Sequence, residues 1–452
     1  MNYFNAYFMI SDLINTGIYD VTADVHKITD YQCVSRDMQH TSMKPRLYLH
    51  LDMNCFYAQI EQQCYRLHGL PVYIGGWYKE DGTPRGIVAT SSYEARAFGV
   101  KTGMSAFEAE QLCPWAIGLQ ADYEKYSSIS KLIERVLKDF APTVEKYSMD
   151  EYFLDINFLK RRSRREIQRY GEKLCNLIYR EVGLVCSVGI AWSKTYSKLA
   201  SDLKKPNGLT LVLDSHDAEE KIHPLSLKEV WGIGRKRYAR LRSEGLNTIG
   251  EAIGRGSGVF QRLFGAYFGK IVWEMVAGKD RARVLAEEEV VPEQLNYMHT
   301  FSDWCDDPEQ IRGEIMKGVS QLCYRMRGYQ VRARQFYGYL RIQDSEHRGH
   351  SFRFSTDGYT NLDDYIFYEC MRQAEPRIRQ LLDSGETLRG IGLGTLKLDG
   401  TLQQELFFRE DEARRRLCLV RDAINNRYSK GTMIRASALG GVPGKTHFLS
   451  RS

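Results

Sequence analysis

Residues 46–54, RLYLHLDMN, alternate leucine with a second, more polar set and reach an acid near the end of the run. Leu47, Leu49 and Leu51 take one side of an extended chain, and Tyr48, His50 and Asp52 the other, because successive side chains of a strand point to opposite faces. The pattern predicts a strand with one face in a core, and it delivers Asp52 to the strand's end. The segments that follow keep changing period. FYAQIEQQCYRL predicts a helix, residues 71–76 a strand, and Lys79 to Gly86 a turn rich in Gly, Asp and Pro. Tyr123 to Phe140 has helical spacing, with Ile129, Leu132, Ile133, Val136 and Leu137 on one face. Residues 142–158 read as two strands around Ser148-Met149-Asp150-Glu151, and about 164–181 as a long helix. The strand VCSVGIAWS and a helix stopped at Pro206 complete the series. Such alternation from 46 to 212 implies an α/β-type sheet, with a second helical patch inserted near 60–120.

Residues 221–285 are helical and basic, and 320–355 are strand-like and Arg-rich, followed by a helix with Tyr365, Phe367, Met371 and Leu381. The acidic, helix-breaking run AEEEVVPEQ sets a boundary near 286–296. A chain of 452 residues holds roughly three domains at about 150 residues each. No apolar run approaches the roughly 20 residues of a membrane span. No Lys or Arg precedes Lys27, so the basic region of a signal peptide is missing. A soluble, cytoplasmic chain without a membrane partner is expected. Residues 1–45 read as an N-terminal extension, with Met43 an alternative start. The ten cysteines form no CxxC pair, which fits packing roles better than zinc or disulfides. The net charge of +6 is mild; where the charge sits matters more.

Four constellations could carry chemistry. Asp52, Asp150 and Glu151 converge if Ser148–Glu151 is a hairpin turn, forming an oxygen-rich cage of the kind that suits hard divalent cations. By spacing alone they could equally be three surface acids. Tyr93 and Arg96, three apart after Thr90, and Lys205 after a helix offer donors for a triphosphate, or an ordinary solvated face. Gly232 and Gly234, with Arg235, Lys236 and Arg237, resemble a helix–hairpin–helix that grips nucleic-acid backbone; a plain connector is the alternative. Finally, Arg325, Arg327, Arg332, Arg334, Arg341, Arg348 and Arg353 face only Asp344 and Glu346 between 321 and 353, with Tyr324, Tyr329, Phe336, Tyr337 and Tyr339 interleaved. A basic, aromatic-laced sheet of that kind suits a phosphate backbone, and an exposed sheet face of balanced function is the alternative.

Together these residues resemble the Y-family (translesion) DNA polymerases, of the polymerase IV and polymerase V catalytic-subunit type and of bacterial origin. The segments that carry the resemblance are LDMNCFYAQIE at 51–61, GIVATSSYEARAFGVKTGM at 86–104, EKYSMDEYFLDI at 145–156 and VGIAWSKTYSKLASDLKKPNG at 188–208. Their order and spacing hold over about 46–400.

The resemblance implies an α+β multi-domain, right-hand polymerase that adds dNTPs to a primer 3′-hydroxyl in error-prone lesion bypass. The ferredoxin-like palm would be 46–60 and 123–212, the small fingers 61–122, the helical helix–hairpin–helix thumb 213–285 and the α/β little finger 296–400. Residues 401–452 would be a tail. Asp52, Asp150, Glu151 and the Met53 carbonyl would hold two Mg²⁺ ions, with Mn²⁺ a substitute, and Glu151 would stand closest to the primer terminus. Phe56, Tyr57, Ala89, Thr90, Tyr93, Arg96 and Lys205 would bind the incoming nucleotide, with Tyr57 as the steric gate against ribose. Small residues at Ala89, Ser91 and Ser92 imply a loose roof over the new base pair. Gly232, Gly234, Arg235, Lys236, Arg332 and Arg334 would contact primer–template DNA. Gln403, Leu406 and Phe407, in QQELF, fit the peptide that binds the bacterial β sliding clamp, and accessory mutagenesis subunits are a further partner class. Asn54 departs from the pattern, since many members carry Asp there; the change implies altered metal affinity and not inactivity. A non-catalytic DNA-damage adaptor is the alternative from another class, and the intact acids argue against it. A nucleotide cyclase on a related palm would leave the hairpin thumb and Arg-rich sheet unexplained.

Overall fold

The alternating run at 46–54 becomes β1 (Tyr48–Met53), buried along its whole length at the centre of a five-stranded sheet. The computed structural model describes residues 46–78, 82–285, 292–342, 349–400, 412–428, 431–436 and 438. They fall into two compact units, one up to residue 285 and one from residue 292.

In the first unit β1 leads into α1 (Phe56–Cys64). A separate three-stranded sheet follows, made of β2 (Val72–Tyr78), β3 (Pro84–Ser91) and β4 (Ile117–Leu119) in the order β3–β2–β4. It carries two short helices, α2 (Tyr93–Ala97) and α3 (Ala106–Leu112). The region expected as a helical patch is therefore built on a sheet. Its last strand has only three residues, too few for period-2 alternation to show. Next come α4 (Tyr123–Phe140), β5 (Val144–Lys146), β6 (Glu151–Asp155), α5 (Arg164–Val182), β7 (Cys186–Ala191), α6 (Lys194–Asp202) and β8 (Leu209–Val212). The large sheet runs β5–β6–β1–β7–β8, antiparallel except for the β7–β8 pair.

The two sides of β1 have different partners. Leu49, Leu51 and Met53 join Tyr126, Ile133 and Leu137 of α4 and Ile167, Leu174 and Ile178 of α5 in one apolar cluster. His50, one residue out of that phase, meets α6 instead: its Nδ1 lies 2.8 Å from Ser201 Oγ. Helix α6 comes this close because β7 has a glycine beneath it. A Cβ on Gly189 would lie 2.0 Å from the Ser197 carbonyl oxygen and 2.3 Å from the Ser201 nitrogen. Five further helices complete the unit: α7 (Ser215–Lys221), α8 (Arg235–Ser243), α9 (Ile249–Arg255), α10 (Ser257–Phe264) and α11 (Ala266–Val276). They share a core that includes Tyr196, Leu199 and Ala200 of α6. The buried Lys194 ammonium binds both Glu145 oxygens at 2.7 Å, and Glu145 also accepts the Leu285 amide at 2.8 Å, tying the end of the unit to the sheet.

The second unit is an antiparallel sheet of β9 (Asn296–Cys305), β10 (Arg332–Ile342), β11 (Gly349–Thr360) and β12 (Leu388–Thr395) in the order β11–β10–β12–β9. The two-residue β13 (Leu398–Asp399) pairs with β10. Two long helices, α12 (Pro308–Gly328) and α13 (Asp363–Asp383), supply the rest of its core. Arg325 and Arg327, expected on a strand, lie in the last turn of α12. Basic residues in a last turn face the helix's own C-terminal dipole. Arg327 is buried and structural: it binds Asp422 at 2.5 Å and Asp363 at 2.8 Å.

Asp422 belongs to α14 (Glu412–Tyr428), in a stretch expected to be a tail. This helix docks on the unit through charge. Arg421 binds Asp363 Oδ2 at 2.6 Å, Arg435 pairs with Asp364, and Cys418 and Ala438 are each 2% exposed. Burial pushes the Asp363 carboxyl up, but Arg327 and Arg421 more than offset it and hold it below the usual carboxylate range.

Two stability tests follow from these contacts. Gly189→Ala forces α6 off the sheet and is expected to cost at least about 1–3 kcal/mol, read from the urea midpoint. Asp363→Ala strands buried guanidinium groups and should cost about 3–5 kcal/mol at pH 7. Because the folded carboxyl ionises below its unfolded value, its contribution is complete above about pH 4 and is lost as pH falls through the folded pKa. The gap between parent and Asp363→Ala should therefore narrow in urea titrations at pH 3.

Candidate active site

Strand pairing places the acids. In the β1–β6 register Asp52 stands opposite Glu151, and directly opposed residues of an antiparallel pair share a face. The Met53 amide donates to the Asp150 carbonyl at 2.9 Å, closing the turn before β6 against the end of β1. Ser148 builds that turn. Its Oγ accepts the Asp150 and Glu151 amides at 3.3 and 3.1 Å and donates to Asp150 Oδ1 at 2.6 Å.

The three carboxylates sit against two ammonium groups. Lys205 Nζ lies 2.7 Å from Asp52 Oδ2 and 2.6 Å from Asp202. Lys198 pairs with Glu151. Asp52 is 8% exposed. Burial pushes its pKa up to about 6; Lys205 opposes this and the Glu151 charge reinforces it. Asp150 is raised too, by burial first and then by the Asp52 charge. Among the described residues no three His, Cys, Asp or Glu side chains already converge on a metal-sized cage. The donor set nonetheless fits a hard divalent cation. All the ligands are oxygens, and the acids destabilise one another's charge, which added positive charge would relieve.

Around this corner lie the residues expected to hold a nucleotide. Cys55 adopts a left-handed conformation (φ 35°) and no side chain caps α1, so the helix opens on the amides of Phe56 and Tyr57. Both side chains are buried, at 2% and 7% exposure. The Tyr57 ring stacks on Tyr126 at 4.3 Å, meets Tyr123 edge-on at 5.9 Å, and its hydroxyl donates to Met149 Sδ at 3.3 Å. Burial raises its pKa first and the Asp150 charge next, so the phenol lies within the field of that acid. Tyr126 is itself fixed, its hydroxyl donating to Glu61 at 2.6 Å.

The short helix α2 supplies the cationic side. Arg96 is exposed, donates from Nε to the Ser91 carbonyl at 3.0 Å and lies 5.0 Å from the Tyr93 ring. The Tyr93 hydroxyl is buried without a hydrogen-bond partner among the described residues, in the field of Arg96, Lys205 and Asp52. A buried donor so placed has a hydrogen bond to give to an incoming oxygen, whether of water or of a ligand. Thr90 is 8% exposed and Ala89 half-buried. Ser91 and Ser92, expected beside Ala89 in a loose roof, are fully buried structural groups. Ser91 Oγ donates to the Val100 carbonyl at 2.9 Å, and Ser92 caps α2 through the Ala95 amide at 3.3 Å.

The sequence reading missed Lys198 and gave Ser148 and Asn54 no structural partners. Lys198 has a signal only in retrospect: it is the lysine one turn after Lys194 in a helix flanked by the acids. Ser148 looked like part of a turn, without a stated role. Asn54, expected to tune a metal, is tied into the scaffold: its Nδ2 donates to Ser187 Oγ at 2.9 Å and its Oδ1 accepts the Asn207 amide at 2.8 Å. These bonds anchor the loop that carries Lys205.

The expected DNA contacts are distributed over both units. Gly232 has φ 83° and Gly234 precedes α8, where Arg235 and Lys236 are exposed. Arg237 turns back to the Gly232 carbonyl at 2.9 Å and stabilises the hairpin itself. In the second unit Arg334 is exposed, and Arg332 is half-buried opposite Asp399. Gln403, Leu406 and Phe407 lie outside the described residues, as does Arg348. No described helix is long and apolar enough to cross a membrane.

The chain matches the impB/mucB/samB family over residues 51–202 and the C-terminal domain of that family over 294–406. It is 33% identical to DNA polymerase IV of Pelotomaculum thermopropionicum over 398 residues, 86% of this chain and 94% of that protein. Against DNA polymerase IV of Streptomyces coelicolor it is 32% identical over 363 residues, 79% of this chain and 72% of the relative. Its fold matches that of a Y-family DNA polymerase chimera, Dbh-Dpo4(243-245)-Dbh, with a TM-score of 0.66 and 21% identity, covering 79% of this chain and all of that one. Relatedness over most of the chain and a shared α+β fold put it in the impB/mucB/samB group of the Y-family DNA-directed DNA polymerases.

Proposed function

We propose that the chain performs translesion synthesis, extending a primer 3′-hydroxyl with dNTPs opposite damaged template and releasing pyrophosphate. The observation that supports this reading is that β1–β6 pairing and the Met53–Asp150 backbone bond bring Asp52, Asp150 and Glu151 to one end of β1, beside the Tyr57 ring, the buried Tyr93 hydroxyl and the lysines after β7. In this reading residues 46–60 and 123–212 are the palm, 61–122 the fingers, 213–285 the thumb and 296–400 the little finger, with α14 packed on the last.

Two divalent ions, Mg²⁺ or Mn²⁺, bound by Asp52, Asp150, Glu151 and the Met53 carbonyl would neutralise charge on the attacking and leaving oxygens. The protein does the rest. Lys205, with Arg96 and Tyr93, holds the triphosphate for in-line attack at the α-phosphate. Thr90 and the Phe56 and Tyr57 amides complete the phosphate contacts. The Tyr57 ring, immobilised by Tyr126 and Tyr123, occupies the space a 2′-hydroxyl would need. Ala89 alone roofs the new base pair, which leaves room for a distorted template base and lowers fidelity. Arg235 and Lys236 beside Gly232 and Gly234, and Arg332 and Arg334, grip the DNA backbone, so affinity falls with salt. QQELF would bind the β sliding clamp.

The test is primer extension by the purified chain on templates with and without an abasic site. Extension past the lesion is expected; DNA binding without extension on either template would favour an adaptor. Asp150→Ala should lower extension at least about a thousandfold, equivalent to about 4 kcal/mol, while primer–template binding stays within twofold of the parent. Tyr57→Ala should raise ribonucleotide incorporation by at least about tenfold relative to dNTP. Unchanged sugar selectivity would remove Tyr57 from the gate.

A further inference from the structure

Glu151 is held by a lysine that belongs to the scaffold. Lys198 is the middle residue of α6, and its ammonium contacts Glu151 with side-chain exposures of only 20% and 17%. The Tyr147 ring lies 5.8 Å from the same Nζ. Its backbone is equally constrained. Ser201 Oγ donates to the Lys198 carbonyl at 2.7 Å and is joined to the buried His50, while Gly189 lets this stretch of α6 press on β7. Lys205 is placed differently. It follows the helix and already shares its charge between Asp52 and Asp202, the latter 51% exposed, so it can exchange one anion for another. Lys198 makes its ion pair with Glu151, and Asp52 and Asp202 add to the negative field around its ammonium.

A half-buried ammonium is costly to desolvate, and a methionine would fill the same space without that cost. What the charge adds is orientation. A free glutamate has three rotatable bonds, whereas one pinned by a fixed cation presents a defined oxygen. Building on the two-metal reading above, we infer that Lys198 is a positioning residue of the polymerase reaction: its ammonium fixes the Glu151 carboxylate toward the primer terminus and competes with an entering divalent cation for that carboxylate. Metal affinity and turnover then respond in opposite directions when the ammonium is removed. Loss of a nearby positive charge strengthens cation binding, while a loosened Glu151 slows the reaction.

The experiment measures both on the full chain. Free Mn²⁺ is followed by electron paramagnetic resonance during titration of the protein without DNA, and single-turnover primer extension is measured at saturating dNTP. In Lys198→Met, Mn²⁺ binding should tighten about threefold or more, and the extension rate should fall about 10–100-fold with little change in the dNTP concentration for half-maximal rate. Lys198→Arg should restore both values toward the parent. Lys198→Gln carries the same expectation as methionine and serves if that variant does not fold. Unchanged or weaker Mn²⁺ binding, or an extension rate within twofold of the parent, overturns the inference. Asp150→Ala in parallel separates the causes: if it also extends normally, the two-metal reading itself has failed, whereas an inactive Asp150→Ala beside a normal Lys198→Met removes Lys198 alone.

Discussion

Pairing β1 with β6 forces Asp52 and Glu151 onto one face, and the Met53–Asp150 backbone bond brings a third carboxylate to the same corner. Burial first, and then a neighbouring carboxylate, raise the pKa of Asp52 and of Asp150 in this corner. The rest of the first unit is arranged around that repulsion. Helix α6 must approach the sheet closely enough to place a lysine against Glu151, and only a residue without a Cβ under it permits the approach. The loop after α6 must hold a second lysine near Asp52. Asn54 and Gln59 fix that region through Ser187, Asn207 and Val185. The electrostatics of three acids thus accounts for a glycine in a strand, an asparagine at the strand's end and two lysines a helix turn or more apart.

The parts of this arrangement that were legible beforehand are those written in local periodicity. The strand to Asp52, the hairpin around Ser148–Glu151, and the helices at Tyr123–Phe140 and Arg164–Val182 all carry clear alternation or 3.6-residue spacing. The acids, Tyr93, Arg96 and Lys205 could be proposed from motif order and resemblance to a family. What stayed hidden depends on contacts distant in sequence. Lys198 looks like any helical lysine until β6 lies beside it, 47 residues away. Ser91 and Ser92 look like small, open residues until Val100 and α2 claim their hydroxyls. Arg327 reads as one more arginine of a basic sheet until Asp363 and Asp422 fold onto it, 36 and 95 residues downstream. Short β4 had no signal, and α14 was obscured by the polar, arginine-rich face it presents.

The two units bury charge to different ends, and the balance of charge separates them. In the second unit Arg327, Arg421 and Arg435 meet Asp363, Asp364 and Asp422, three against three, and each carboxylate has a guanidinium partner. That network holds α14 on the core, and removing the buried Asp363 would leave the Arg327 and Arg421 guanidinium groups with charge unmatched. At the corner of the first unit, Asp52, Asp150 and Glu151 meet Lys198 and Lys205, three against two, and Lys205 is further drawn off by the exposed Asp202. A buried set that lacks a positive charge is poor architecture for a fold but suited to an incoming cation. Asp150 shows the deficit directly: among the described residues its side chain bonds to the Ser148 hydroxyl and forms no ion pair with an ammonium. That acid is the one left for an added cation to neutralise, and its charge acts on the Tyr57 phenol on one hand while Asp52, Lys198 and Lys205 act on it on the other.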